Sequence, residues 1–451
     1  MNRTPIKVMP AVGRAQNKGL EPEEWVRILQ GKLGNATKVD PKRRFHTLID
    51  KVYNPRTLMA AWKKVRANRG AAGIDRRTIE EIELIGPGKY LERLSKDLQN
   101  GTYKIQGVRR AYVPKADGGE RPLGIPTVDD RIVQAAVCLV IEPLFETGFE
   151  DCSFGFRPGR SADMARQRIY KLLNWGCEFV VETDIESFFG TIPHDRLMKA
   201  VERRISDGRV LGLIRGWLKA KVHEEGSVFE PEAGTPQGGP LSPLLANIYL
   251  DQLDKAWREL RMDDKYGPDA KLVRYADDLV ILTSKDPTVP YRALEKIVRG
   301  LGLGLNYSKT RTLDCREVPF DFLGFTFRRR MGGPNHKYVT RMTPTSKAIQ
   351  RLKDNVRAYL VYKAIPKSEL VNRIQGLNAK TRGWANYYRH TNARRVFVSM
   401  QRFIEQSVRK FLRKRRQRSG YGYREYPSEY LYKRLNLYDI RQTGITYVGG
   451  L

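Results

Sequence analysis

Two adjacent carboxylates, Asp277 and Asp278, stand between two apolar runs in a stretch that reads Leu-Val-Arg-Tyr-Ala-Asp-Asp-Leu-Val-Ile-Leu-Thr from Leu272. The runs have the composition of buried strands, and the short link from Tyr275 to Asp278 suits a hairpin with the acids at its tip. Neighbouring anions repel, and a divalent cation relieves that repulsion; without one, an Asp-Asp pair is an ordinary polar turn. A second acidic site reads Cys-Glu-Phe-Val-Val-Glu-Thr-Asp-Ile-Glu-Ser-Phe-Phe from Cys177, where a β-branched run ends at Asp184. If these strands share one sheet, Asp184, Asp277 and Asp278 can gather two Mg²⁺ ions roughly 3.5–4 Å apart, as phosphoryl-transfer sites do. One ion would lower the pKa of an attacking hydroxyl and the other would stabilise a leaving pyrophosphate, with substrate phosphates completing the oxygen shell.

The elements that must carry these acids emerge from the rest of the chain. At 451 residues, 41% of them hydrophobic, the sequence can fill more than one core. A net charge of +32 and a pI near 10.0 call for a polyanionic partner. A basic ribosomal-type or membrane-surface protein would share that charge, but Tyr, Phe and Trp interleaved with Arg favour nucleic acid, because bases stack on aromatic rings and guanidinium planes. Cys138, Cys152, Cys177 and Cys315 stand far apart and read as reduced, mostly buried thiols, and the five histidines are dispersed, so no zinc site or His-Asn-His nuclease module is expected. No apolar run reaches membrane-spanning length and no signal-peptide core is present, which predicts a cytoplasmic protein with no membrane partner.

In chain order, residues 1–44 form a basic, polar extension with a short helix from about Pro22 to Leu33. Helical spacing continues over residues 48–67 and ends in a loop containing Gly70 and Gly73. Alternation through Ala111–Lys115, a turn at Asp117-Gly-Gly119 and a return through Arg121–Ile125 predict a hairpin with Lys115 and Arg121 on its arms. A buried helix follows over Asp130–Phe145, and a Gly/Pro loop then offers Arg157 and Arg160 to backbone phosphates. The segment from Asp195 to Val222 is expected to be helical. Pro236 and its neighbouring glycines keep Gly234–Gly239 irregular, and a helix resumes over Ser242–Ala256. After the acidic hairpin, a helix over Tyr291–Leu301 and a strand over Leu303–Lys309 are expected. Beyond Ser346 the chain carries 24 Lys and Arg against 6 Asp and Glu, in helical patterns, so a domain boundary is placed near Met342 to Ser346.

Taken jointly, several boxes resemble one family. Tyr275-Ala-Asp-Asp278 has the form of a reverse transcriptase catalytic box, and Gly234-Thr-Pro-Gln-Gly-Gly-Pro-Leu-Ser-Pro243 resembles the box that lies beside the incoming nucleotide. With Phe154-Gly-Phe-Arg-Pro-Gly-Arg160, Asn306-Tyr-Ser-Lys-Thr310, Phe322-Leu-Gly-Phe325 and Gly383-Trp-Ala-Asn-Tyr-Tyr-Arg389, the order is similar to the reverse transcriptase/maturase proteins encoded by group II introns, in a form without the nuclease module.

The resemblance implies an α+β right-hand polymerase: an N-terminal segment over 45–100, fingers and palm over 101–342, and a mostly helical thumb, or maturase X domain, over 343–451. It also implies roles. The carbonyl of Ile185 would join Asp184 and Asp277 as metal ligands, with Asp278 contributing charge. Lys115 and Arg121 would grip the triphosphate of a dNTP. Phe189, favoured over Phe188, would exclude a ribose 2′-hydroxyl, and Gln237 would lie against the nascent base pair. Lys309 would contact primer or phosphate, and Phe322–Phe325 would grip the primer. Trp384 and Tyr388 are expected inside the thumb, leaving Arg382 and Arg389 outside, while Arg413 and Arg416 would reach intron RNA. Implied partners are the group II intron RNA, an RNA template with a DNA primer, target DNA and dNTP. A non-catalytic splicing cofactor, or a reverse transcriptase domesticated for phage defence or spacer acquisition, are the alternatives.

Overall fold

The computed structural model describes residues 19–114, 119–332, 337–361 and 367–443. It opens with helices α1 (Pro22–Val39), α2 (Ile49–Val52), α3 (Pro55–Ala67), α4 (Ile79–Ile85) and α5 (Pro87–Asn100). The helical pattern expected over 48–67 is split because Asn54 caps α3, its side chain accepting from the Arg56 amide, and Pro55 takes the first turn, where its missing N–H costs nothing. Thr78 and Glu81 form a reciprocal capping box that starts α4. The expected hairpin follows as β1 (Val108–Pro114) and β2 (Glu120–Ile125), paired antiparallel with Val113 opposite Arg121. Helix α6 (Val128–Glu146) is buried along most of its length and contains Pro143.

Next come α7 (Ala162–Asn174), β3 (Phe179–Asp184), α8 (Phe188–Thr191), α9 (His194–Glu202), α10 (Gly208–Leu218), the short strands β4 (Val222–Glu224) and β5 (Ser227–Phe229), and α11 (Ser242–Glu259). Strands β6 (Lys271–Tyr275) and β7 (Asp278–Thr283) form the acidic hairpin, followed by α12 (Thr288–Gly300) and β8 (Arg311–Asp314). The strand expected over 303–309 is reduced to one bridge between Leu305 and Ile185, and the chain rejoins the sheet only at β8. Strands β9 (Phe320–Phe322), β10 (Phe325–Gly332) and β11 (Lys337–Pro344) form a separate sheet, and α13 (Ser346–Tyr359), α14 (Lys367–Tyr388) and α15 (Arg394–Arg415) follow.

The central sheet has the order β6-β7-β3-β8 with every neighbouring pair antiparallel. Because successive side chains in a strand point to opposite faces, the sheet divides two cores. Val181, Leu272, Leu279 and Ile281 face the cluster built by α1, α3, α6 and α9 to α12, whereas Val180, Val273, Val280 and Leu282 face the cluster shared with α7, β9 to β11 and α13 to α15. The chain therefore passes from strand to helix at Thr345, where a boundary was expected, but its hydrophobic core does not stop there: Leu352, Val356, Leu377 and Phe397 pack in the same cluster as Val180 and Val273. Among the described residues no helix is long and apolar enough to cross a membrane.

Candidate active site

Sheet register brings the acids together. In the β6–β7 hairpin Tyr275 pairs with Asp278, leaving Ala276 and Asp277 as its two-residue tip, and Ala276 holds a left-handed conformation with φ 57°. Strand β3 pairs with β7 so that Asp184 lies opposite Asp278. Residues far apart in sequence thus end at one edge of one sheet, where Asp277 and Asp278 feel neighbouring negative charge. Burial, and then the charge on Asp184, raise the Asp277 pKa. Asp278 keeps solvent access at the rim, yet the surrounding protein, followed by Asp277 and Asp184, pushes it up to about 7. Arg121 and Lys309 partly offset both shifts.

Lys309 does so from close range, its Nζ standing 2.7 Å from Asp184 Oδ2. The Ile185 bridge is flanked by bonds from the Glu186 amide to the Gly304 carbonyl and from the Asn306 amide to the Asp184 carbonyl, so the ladder there does not use the Ile185 carbonyl. Paired carboxylates beside a backbone carbonyl make an all-oxygen donor set, which fits a hard cation such as Mg²⁺. Among the described residues no three carboxylate, His or Cys side chains stand close enough to cage an ion unaided. Mg²⁺ commonly takes one or two carboxylates and leaves its other positions to water and substrate phosphates.

The Gly-rich loop closes the adjacent wall. Gly234 has φ +91°, and a Cβ there would stand 2.6 Å from the Phe189 carbonyl, to which the Thr235 amide donates at 2.6 Å. On its other flank the Gly124 amide donates to the Gln237 carbonyl at 2.7 Å, and a Cβ on Gly238 would meet the Gly124 carbonyl at 2.8 Å. The loop is thus threaded between the Phe189 turn and β2, the strand that carries Arg121 on its exposed side. Phe188 is 1% exposed in the core, whereas Phe189 is half-buried and packs edge-on against it. Lys115, with Asp117 and Gly118 of the predicted turn, lies outside the described residues.

Comparison with known proteins bears on this geometry. Residues 113–327 match the family described as reverse transcriptase (RNA-dependent DNA polymerase), and residues 349–428 match the group II intron, maturase-specific domain. Protein YkfC of Escherichia coli is 33% identical over 359 residues, covering 71% of this chain and 93% of YkfC. The chain belongs to the group II intron-encoded reverse transcriptases and maturases. The group II intron-encoded protein LtrA of Lactococcus lactis subsp. cremoris is 36% identical over 237 residues, 52% of this chain but 39% of LtrA. An uncharacterized 91 kDa protein in the cob intron of Schizosaccharomyces pombe is 28% identical over 426 residues, 79% of this chain and 52% of its own length.

The maturase-specific domain implies binding of intron RNA. In this family member Trp384 and Tyr388 pack inward with ring centroids 4.9 Å apart, and Arg382 and Arg389 are exposed, as expected. Arg382 lies over the Tyr438 ring, and Arg389 Nε donates to His390 Nε2 at 2.9 Å. Arg416 is exposed over Tyr426, while Arg413 is mostly covered and paired with Glu425 at 3.3 Å. The Phe322–Phe325 turn is clasped by the maturase domain: the Tyr387 hydroxyl donates to the Leu323 carbonyl at 2.9 Å, and a Cβ on Gly324 would stand 2.7 Å from the Tyr388 hydroxyl.

Two arginines of the Gly/Pro loop part company. Arg160 remains near the surface, paired with Asp151 at 2.6 Å. Arg157, expected to meet phosphate, is instead 7% exposed; it bonds both Glu146 carboxylate oxygens and the carbonyls of Glu150 and Ser153, so it braces the loop from within. Sequence reasoning also passed over Arg274, fully buried beside the Tyr-Ala-Asp-Asp tip. The available signal was a charge inside an apolar strand, which demands a buried partner.

Proposed function

We propose that this chain is an RNA-directed DNA polymerase that acts on and with the RNA of its own intron, as a maturase in splicing and as a polymerase in mobility. One observation carries the reading most: the register that sets Asp184 opposite Asp278, with Asp277 at the adjoining tip. Two bound Mg²⁺ ions would supply activation of the primer 3′-hydroxyl and charge neutralisation at the α-phosphate and the departing pyrophosphate. Asp184, Asp277 and the Ile185 carbonyl would hold them, with Asp278 adding negative charge. Arg121 and Lys115 would orient the triphosphate so that the 3′-oxygen attacks in line, the bond to the α-phosphate forming as the bond to pyrophosphate breaks. Lys309, beside Asp184, would contact a primer or phosphate oxygen. Gln237 would approach the nascent base pair, and Phe189 would close the space at the sugar 2′ position. Arg160, Arg382, Arg389, Arg413 and Arg416 are proposed contacts to the template–primer, target DNA or intron RNA.

The test is extension of a DNA primer on an RNA template by the Asp277→Ala/Asp278→Ala protein, alongside its affinity for intron RNA. Synthesis should vanish while RNA binding and splicing persist. Synthesis retained in that variant would contradict the assignment.

A further inference from the structure

Arg274 precedes the Tyr-Ala-Asp-Asp tip by one position, inside an apolar strand, with its side chain 0% exposed. Its Nε donates to Asp254 Oδ1 at 2.8 Å and Oδ2 at 3.1 Å, and its Nη1 donates to Asn247 Oδ1 and to the Ala276 carbonyl, each at 3.1 Å. Asn247 and Asp254 both lie on α11 and are both buried. Asn247 Nδ2 in turn donates to the Gly155 carbonyl at 2.8 Å. Gly155 presses on the tip from the other side, since a Cβ there would fall 2.5 Å from the Ala276 nitrogen. The strip before it runs parallel to β6: Ser153 bridges Arg274, the Arg274 amide donates to the Cys152 carbonyl at 2.8 Å, and the Phe154 amide donates to the Arg274 carbonyl at 2.9 Å.

Ala276, the residue immediately before Asp277, is thus held at its carbonyl by Arg274, with the Gly155 backbone packed closely against its amide nitrogen. It occupies a left-handed conformation that a two-residue hairpin tip favours but that residues with a Cβ adopt uncommonly. A buried ion pair is a poor source of stability compared with apolar side chains of similar volume. What this pair supplies, through the Ala276 carbonyl, is position. We infer that Arg274, Asp254 and Asn247 are positioning residues for nucleotidyl transfer: they fix the backbone at Ala276, and with it the direction from which Asp277 and Asp278 meet divalent metal. This rests on the reading of those carboxylates as metal ligands.

Three full-length variants test it: Asn247→Leu, Arg274→Lys, and the paired Arg274→Met/Asp254→Leu, which removes both buried charges together so that neither is orphaned. The readouts are calorimetric titration with Mn²⁺, the Mg²⁺ concentration giving half-maximal primer extension, thermal unfolding and RNA affinity. Partners of metal ligands change metal affinity by about 10- to 100-fold when removed. Mn²⁺ affinity should fall, and the Mg²⁺ requirement rise, within that range in variants that melt and bind RNA nearly as the parent does, with excess Mg²⁺ restoring part of the rate. Parental Mn²⁺ affinity in the folded variants overturns the inference. So does unfolding in which the remaining folded fraction binds Mn²⁺ normally, because the bracket then serves only the fold. Asp277→Ala/Asp278→Ala separates the two claims: unchanged Mn²⁺ binding there strikes the proposed function, whereas loss there with normal binding in Asn247→Leu strikes this inference alone.

Discussion

Phe188 and Phe189 are neighbours of the same chemistry, and the turn after Asp184 separates their work. Phe188 is sealed in the core, so Phe188→Ala should cost about 3–5 kcal/mol of stability, read as a fall in the denaturant midpoint. Phe189 keeps one side open beneath the Gly234 loop. Phe189→Ala should leave the melting temperature close to the parent's and raise ribonucleotide over deoxynucleotide incorporation by roughly 10- to 200-fold, the range a pocket gains or loses over a small group. The carboxylates make a second prediction. Asp278 is pushed up to about 7 by the protein surrounding its partly solvent-accessible side chain and by its acidic neighbours, so the folded, metal-free protein binds this proton more tightly than the unfolded chain does. Its stability should therefore fall as pH rises from the ordinary carboxylate range towards 7, and Asp278→Asn should flatten that part of the profile in thermal melts without metal.

Elements were more legible than the contacts between them. The acidic hairpin, the β1–β2 hairpin and helix α6 follow from local alternation and helical spacing, and their expected and observed bounds nearly coincide. The pairing of Asp184 with Asp278 was not written in either strand, because register across so long a connection is decided by which faces two separate cores need. Arg157 was misplaced for a related reason: an arginine in a Gly/Pro loop reads as exposed until Glu146, on the preceding helix, is known to point at it. Asp207 shows the same limit. It caps α10 through the Arg209 and Val210 amides and also accepts from the Leu48 and Ile49 amides, tying the N-terminal segment to the palm. Burial would raise its pKa, but these four amides outweigh burial and leave it lowered. Asp207→Ala should cost about 2–3 kcal/mol in urea unfolding at neutral pH, from a lost cap and lost charged hydrogen bonds. The depressed pKa fixes the sign of the pH effect. The stabilisation is present above the ordinary Asp range and is lost as pH falls through the folded value, so parent and variant should converge in acid.

At the scale of the whole molecule, a charge of +32 is distributed for different purposes. Arg274, Arg157 and Arg166 are buried and consumed by Asp254, Glu146 and Asp163, whereas Arg382, Arg389 and Arg416 face solvent on the maturase domain. Binding to single-stranded RNA should weaken with salt, each phosphate contact contributing about 0.7 to the logarithmic slope. Arg382→Gln/Arg389→Gln should lower that slope by about one to two contacts in filter binding. Arg157→Gln should leave the slope intact and lower stability instead, because it strands Glu146. The central sheet and the maturase helices also share one core, and the Tyr387 hydroxyl ties the Leu323 turn to it. The most direct test of the catalytic assignment is anomalous diffraction from the protein with an RNA template, a DNA primer, a non-hydrolysable dNTP and Mn²⁺. Peaks within bonding distance of carboxylate oxygens of Asp184 and Asp277, beside the bound triphosphate, are the predicted result. Nucleotide bound in place with no metal at Asp184 and Asp277, and Lys309 still paired to Asp184, would contradict it.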